Sequence, residues 1–189
     1  MRIISGFFKS RKISIPPGTS IRPTADKVKG AIFNIIGSIT DFSVLDLYAG
    51  SGNLGLEALS RGAKTVTWVD HSFKSISTIK ANIKALAPTT VIPNCELNIV
   101  LNTVERSFEF FFKKKIIFDL ILADPPYNQG ALKSIQKLLI QSPILNNNGI
   151  LIIEHGAKDT EQIEEFQKAL LRQNRYGQTI VSIFKNPSV

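Results

Sequence analysis

At 189 residues with 43% hydrophobic side chains, the chain suits one domain with a full-sized core and leaves little length for a second. Its 23 basic residues against 15 acidic ones give a net charge of +8, which points to polyanionic partners. A single cysteine, Cys95, excludes an internal disulfide; with only His71 and His155 beside it a metal site is not expected, and no apolar run reaches the length of a membrane span.

The charge is uneven. Residues 1–29 hold seven basic residues (Arg2, Lys9, Arg11, Lys12, Arg22, Lys27, Lys29) against one acid, Asp26, so this stretch carries +6 of the total. Such a cluster reads either as a footprint for phosphates or as a solvated basic face. Residues 2–15 predict two short strands around Ser10-Arg11, broken by Pro16-Pro17-Gly18. The expected organisation is a basic β-hairpin extension over 1–18 followed by a single domain over 19–189. The apolar run Ile3-Ile4 to Phe7-Phe8 is too short and too interrupted for a secretory signal, so a cytoplasmic protein is expected. Thr24 is a suitable N-cap for a helix carrying Val28, Ile32, Ile35 and Ile36 on one face and ending near Gly37.

From Ser43 strand and helix patterns alternate. Strands are predicted at 43–48, 64–70, 97–101, 117–123 and 149–154, with helices at 53–61, 72–86, 103–113 and 129–141. This alternation predicts a doubly wrapped, mainly parallel sheet with right-handed crossovers. Phe108, Phe110, Phe111 and Phe112 fall at helical spacing and read as core. Cys95 has no basic neighbour in sequence and reads as structural. The tail predicts a helix over 159–171, then two strands joined near Gly177, the last running antiparallel to its neighbours.

The segment Leu45-Asp46-Leu47-Tyr48-Ala49-Gly50-Ser51-Gly52-Asn53-Leu54-Gly55 reads as strand, glycine turn and helix start. Asp70 ends the next strand 20 residues beyond Gly50, so the spacing satisfies a dinucleotide fingerprint. A carboxylate there accepts hydrogen bonds from ribose hydroxyls. The turn alone does not separate NAD from S-adenosylmethionine; Asp46 favours a ligand with a cationic amino-acid portion. A P-loop is excluded by the absence of Gly-Lys-Ser/Thr.

The apolar run Leu120-Ile121-Leu122-Ala123 ends in Asp124-Pro125-Pro126-Tyr127. Strand ends are where open α/β sheets bind ligands. An ionised Asp124 only accepts hydrogen bonds, the Pro125 carbonyl is a second acceptor, and Tyr127 has a flat face for a base. Two acceptors beside an aromatic plane suit a planar ring bearing an NH2 group; the plainer reading is a turn after a strand.

With these motifs the sequence resembles the bacterial 16S rRNA (guanine-N2)-methyltransferases that carry an Asp-Pro-Pro-Tyr/Phe motif, the small-subunit ribosomal RNA methyltransferase D type. The likeness spans nearly the whole chain, including Met1 to Gly6, Arg22-Pro23-Thr24 to Lys29, Asp46 to Ala63, Asp124 to Tyr127 and Tyr176 to Thr179. It implies a class I methyltransferase sheet in strand order 3-2-1-4-5-7-6, S-adenosylmethionine as donor with S-adenosylhomocysteine as product, and a guanine of 16S rRNA as acceptor. It further implies cofactor contacts from Asp46, Tyr48, Ala49, Gly50, Ser51, Gly52, Asp70, His71, Asn102 and Thr103, the last two by the adenine. Catalysis falls to Asp124, Pro125, Pro126 and Tyr127, and RNA contacts to Lys9, Arg11, Lys12, Arg22, Thr24 and Lys27. The implied partner is an assembling or assembled small ribosomal subunit, met by a monomer with no membrane attachment. Gly30 stands where the family usually has an acid, Asp70 where Glu is commoner, and Asn102 where Asp is frequent. The rival readings are an adenine-N6 methyltransferase, which uses the same acceptors, an NAD(P)-dependent oxidoreductase, and a non-catalytic RNA-binding module.

Overall fold

The computed structural model describes residues 1–18, 25–86, 95–126, 130–159 and 162–187. Seven strands form one sheet: β1 (Ser43–Leu47), β2 (Thr65–Asp70), β3 (Glu96–Leu101), β4 (Phe118–Ala123), β5 (Leu145–Gly156), β6 (Leu170–Tyr176) and β7 (Thr179–Lys185). Their order is β3-β2-β1-β4-β5-β7-β6, as expected. β1 to β5 pair in parallel, and β7 lies between β5 and β6 antiparallel to both.

The helices are α1 (Ala25–Ile36), α2 (Asn53–Ser60), α3 (Phe73–Leu86), α4 (Val104–Lys113), α5 (Ala131–Gln141) and α6 (Glu164–Ala169). Because side chains alternate across a strand, each central strand supplies both cores. Val44, Leu120, Leu122, Ile152 and Val181 join α1, α2 and α3 in one; Leu45, Leu47, Ile121, Ile153 and Phe184 join α4, α5 and α6 in the other. Sheets covered on both faces give such near-continuous apolar strands. Among the described residues no helix is long and apolar enough to cross a membrane.

Four expectations change. The N-terminal reversal has a single antiparallel bridge, Arg2 with Lys12, and its turn occupies residues 5–10 rather than Ser10-Arg11. Ser10 itself adopts φ 69°. Ile3, Phe8 and Ile13 enter the same core as α1 and α2, so this segment is packed into the fold. The helix expected over 159–171 shrinks to α6, because Leu170 onward pairs with β7 and strand pairing overrides the helical phase of Ile163, Phe166 and Leu170. β5 is longer than expected, starting at Leu145. Of the four phenylalanines, Phe108 and Phe111 are core, while Phe110 and Phe112 are exposed on the outer side of α4.

Cys95 is half-buried; its thiol donates to the Ala63 carbonyl at 3.3 Å, and burial pushes its pKa up, which fits a structural role. The proposed N-cap Thr24 lies outside the described residues.

Candidate active-site cleft

The C-terminal ends of β1, β2, β4 and β5 open into two adjoining clefts that share Tyr48. The larger, about 430 Å³, is lined by Asp46, Tyr48, Ala49, Gly50, Ser51 and Asn53 on the β1–α2 side, with Asp124, Pro126, Glu154 and Thr179 among the residues opposite. The smaller, about 190 Å³, is lined by Tyr48, Asp70, His71, Asn102, Thr103 and Glu105, together with Val69 and Val104. The larger cleft alone falls in the usual range for small-molecule sites, 300–1,000 Å³ or so.

The turn after β1 is built for close approach. Tyr48 takes a left-handed φ of 55°, an uncommon conformation for a bulky residue that the surrounding structure must impose. Asp70 Oδ2 accepts the Gly50 N–H at 2.8 Å and its Oδ1 accepts the Ser72 N–H at 2.8 Å, so the end of β2 fixes the turn. Asp46 Oδ2 accepts the Gly55 N–H at 2.8 Å. At Gly55 a Cβ would come within 2.2 Å of Trp68 Nε1, so only glycine lets α2 pack this closely on β2.

Electrostatically the cleft is acidic on the strand side. Burial pushes the Asp46 carboxyl well above the usual carboxylate range, the Gly55 N–H works against that, and Asp124 and Asp70 reinforce it. Asp124 is half-buried, Pro125 buried and Pro126 exposed. Tyr48 is pushed up to about 12 by burial and by Glu105, so it remains a phenol at neutral pH.

In the smaller cleft Asn102 Oδ1 accepts the Thr103 N–H at 3.0 Å, and Thr103 caps α4 by accepting the Arg106 N–H at 3.4 Å. His71 is exposed at the rim, its Nδ1 3.8 Å from Asp70 Oδ1. Asp46, Tyr48, Ala49, Gly50, Ser51 and Asp124 therefore meet in one cleft, and Asp70, His71, Asn102 and Thr103 in the next. Gly52 does not line either one; its carbonyl accepts from Trp68 Nε1 at 3.3 Å. Tyr127, Arg22 and Thr24 lie outside the described residues.

Lys9, Arg11, Lys12 and Lys27 are exposed. Lys29 departs from the expected basic footprint. It is wholly buried, donating to the Arg2 carbonyl at 2.7 Å and to Asn53 Oδ1 at 2.6 Å, with Glu57 Oε2 at 3.4 Å. Glu57, also buried, accepts the Ile4 and Ser5 N–H groups and the Arg61 guanidinium. Burial of the Lys29 amine lowers its pKa, and Glu57 and Asp26 partly restore it. Gly30 does not line the cleft; a Cβ there would meet only Ile4 Cγ2, at 3.9 Å.

Sequence reasoning gave no role to Asn53, Glu154, Thr179 or Asn82. Glu154 follows the apolar run Leu151-Ile152-Ile153 just as Asp124 follows its own strand, a signal that was available. Asn82 sits on the apolar stripe of α3, where its amide bonds both backbone groups of Ser14 and the Ser51 carbonyl, joining the N-terminal segment to the glycine turn.

A seven-stranded sheet of this order, with a glycine turn after β1 and an acid ending β2, defines the class I S-adenosylmethionine-dependent methyltransferase fold. The solved structure of the Escherichia coli protein yhhF superposes with a TM-score of 0.80 at 27% identity, covering 98% of this chain and 97% of that one. The chain belongs to the family described as Conserved hypothetical protein 95, whose model matches residues 1–185. The Bacillus subtilis protein YlbH is 40% identical over 187 residues, 98% of each chain. A Haemophilus influenzae protein named Ribosomal RNA small subunit methyltransferase D is 30% identical over 187 residues, 98% of this chain and 94% of its own.

Proposed function

We propose that this protein is an rRNA methyltransferase that uses S-adenosylmethionine to methylate the exocyclic N2 of a guanine in 16S rRNA. The observation that carries the reading is that Asp124, at the tip of β4, opens onto the same cleft as Asp46 and the Gly50-Ser51 turn. Relatives named as small-subunit rRNA methyltransferases support the RNA substrate.

The residues fit the donor. Asp46 supplies a carboxylate for an ammonium, the turn offers exposed backbone, and Asp70, Asn102 and Thr103 line a side cleft suited to the ribose and adenine. Bound S-adenosylmethionine supplies an electrophilic methyl group on a sulfonium. Guanine N2 is a weak nucleophile because its lone pair is delocalised into the ring. Asp124 and the Pro125 carbonyl each accept one N–H, which turns the lone pair toward the methyl and stabilises the positive charge that develops. Holding both partners in line contributes most of the remaining acceleration, up to roughly 7–11 kcal/mol. Tyr127 stacks on the extruded base.

Lys9, Arg11, Lys12 and Lys27, with Arg22 and Thr24, hold the RNA backbone. The substrate is a small-subunit particle in the cytoplasm, and the enzyme acts as a monomer. Mapping which 16S nucleotide loses its methyl group in cells lacking the protein tests the assignment: loss at a guanine N2 is expected, and loss at an adenine N6 would transfer the reading to the adenine-specific class.

A further inference from the structure

The larger cleft is lined by three acids, Asp46, Asp124 and Glu154. An amino-acid group entering it brings both an ammonium and a carboxylate. Asp46 suits the ammonium and disfavours the carboxylate, so that end needs a donor of its own beside it. On the same β1–α2 side as Asp46 the cleft presents Asn53, whose Oδ1 accepts from the Lys29 ammonium at 2.6 Å. An amide committed at its oxygen to a cation presents its NH2 outward, and among the described residues Asn53 Nδ2 makes no hydrogen bond within the protein. Lys29 cannot rotate away, since it is wholly buried and tied to the Arg2 carbonyl and Glu57.

We infer that Asn53 is a binding residue for the carboxylate end of the donor's amino-acid portion, donating from Nδ2, and that the buried Lys29 is its positioning residue. The cleft then reads the zwitterion by sign: the cationic end on Asp46, the anionic end on the Asn53 amide with an ammonium behind it. The same Lys29 ammonium both fixes which way the amide faces and strengthens the field at the carboxylate. This rests on reading the cleft as the S-adenosylmethionine site.

The test is calorimetric, with two probes and no turnover. S-adenosylhomocysteine carries the full amino-acid end; 5′-deoxy-5′-(3-aminopropylthio)adenosine keeps the ammonium and lacks the carboxylate. Wild-type protein is expected to prefer the former. Asn53→Ala should weaken S-adenosylhomocysteine about tenfold or more, the size of one hydrogen bond to a charged group, while the decarboxylated analogue shifts less than about twofold. Asn53→Asp should do the same, because it can still bond Lys29 but offers no N–H. Lys29→Met should also erase the preference; if that variant does not fold, the Asn53 pair carries the test. An unchanged preference in Asn53→Ala, or equal weakening of both probes, overturns the inference while leaving the cofactor reading intact. Failure of wild type to bind either probe overturns the cofactor reading, and the inference with it.

Discussion

The Asp46 carboxylate reaches across the glycine turn to the main-chain N–H of Gly55, 2.8 Å away, at a position 2% exposed. Only one of its two oxygens is used by that bond. Burial first, and then the like charges of Asp124 and Asp70, outweigh the Gly55 N–H, so the free protein holds Asp46 protonated to a higher pH than an ordinary carboxylate. A ligand ammonium reverses that preference. S-adenosylhomocysteine should therefore bind more tightly as pH rises through the raised Asp46 range, with proton release, and then level off. Titration calorimetry in buffers of different ionisation enthalpy measures the released proton, and Asp46→Asn should abolish it.

Asp124→Ala should reduce turnover by a factor of 100 or more, on the order of losing a principal charge-stabilising group. Cofactor binding should be unchanged or slightly stronger, because removing one like charge lets Asp46 ionise more readily. Single-turnover rates set beside S-adenosylhomocysteine affinity separate the two; weaker cofactor binding would assign Asp124 to the wrong ligand.

Arg11→Ala with Lys12→Ala should weaken RNA binding and lower the slope of log K against log salt by about 1.4–1.8, the amount for two phosphate contacts. The comparison is with Lys29, which sits in the same basic stretch of sequence yet has no route to a phosphate. An unaltered slope would leave the N-terminal reversal facing solvent.

Gly6 has φ 81°, and a Cβ there would lie 1.7 Å from the Ser60 carbonyl oxygen. Around it, the Phe7 N–H donates to that carbonyl at 2.8 Å and the Phe8 N–H to Ser60 Oγ at 2.9 Å. Gly6→Ala should cost about 2 kcal/mol or more, read as a lowered urea midpoint with an unchanged m-value.

His155 is the buried end of a hydrogen-bonded chain that starts at exposed Gln173. Its Nδ1 lies 3.1 Å from the Gly156 carbonyl, so Nδ1 is the donor, and Nε2 accepts from Ser182 Oγ at 2.8 Å; Ser182 in turn accepts from Gln173 at 2.9 Å. Burial lowers the His155 pKa against the pull of Gly156 and Asp159. The neutral ring is the one that fits, so stability should be complete above the unfolded value of about 6.5 and fall as pH drops below it. Urea midpoints at about pH 7.5 and 5.5 measure this, and His155→Asn should flatten the difference.

The sheet was readable because its signals are local: apolar runs of strand length, glycines where α2 meets β2, and acids closing β1, β2 and β4. Burial of charge is not local. Lys29 belongs to a basic run by composition, and nothing in that run reveals that Glu57 and Asn53, far along the chain, enclose its amine. Asn82 is hidden in the same way among Ile79, Ile83 and Leu86, where a polar residue looks like a break in the stripe. In the tail, the apolar residues that suit a helix, through Leu170, equally suit the strand that pairs with β7. At the N-terminus, core packing of Ile3, Phe8 and Ile13 replaces the extended ladder that alternation alone suggested.

The placement of β7 has a consequence for synthesis. Since β7 separates β5 from β6, a nascent chain emerging from its ribosome carries β6 without a neighbour, and Thr179 is missing from the cleft wall. A protein stalled or truncated before residue 179 would expose the apolar flank of β5 to other chains, so premature termination should yield aggregates rather than a weakened enzyme.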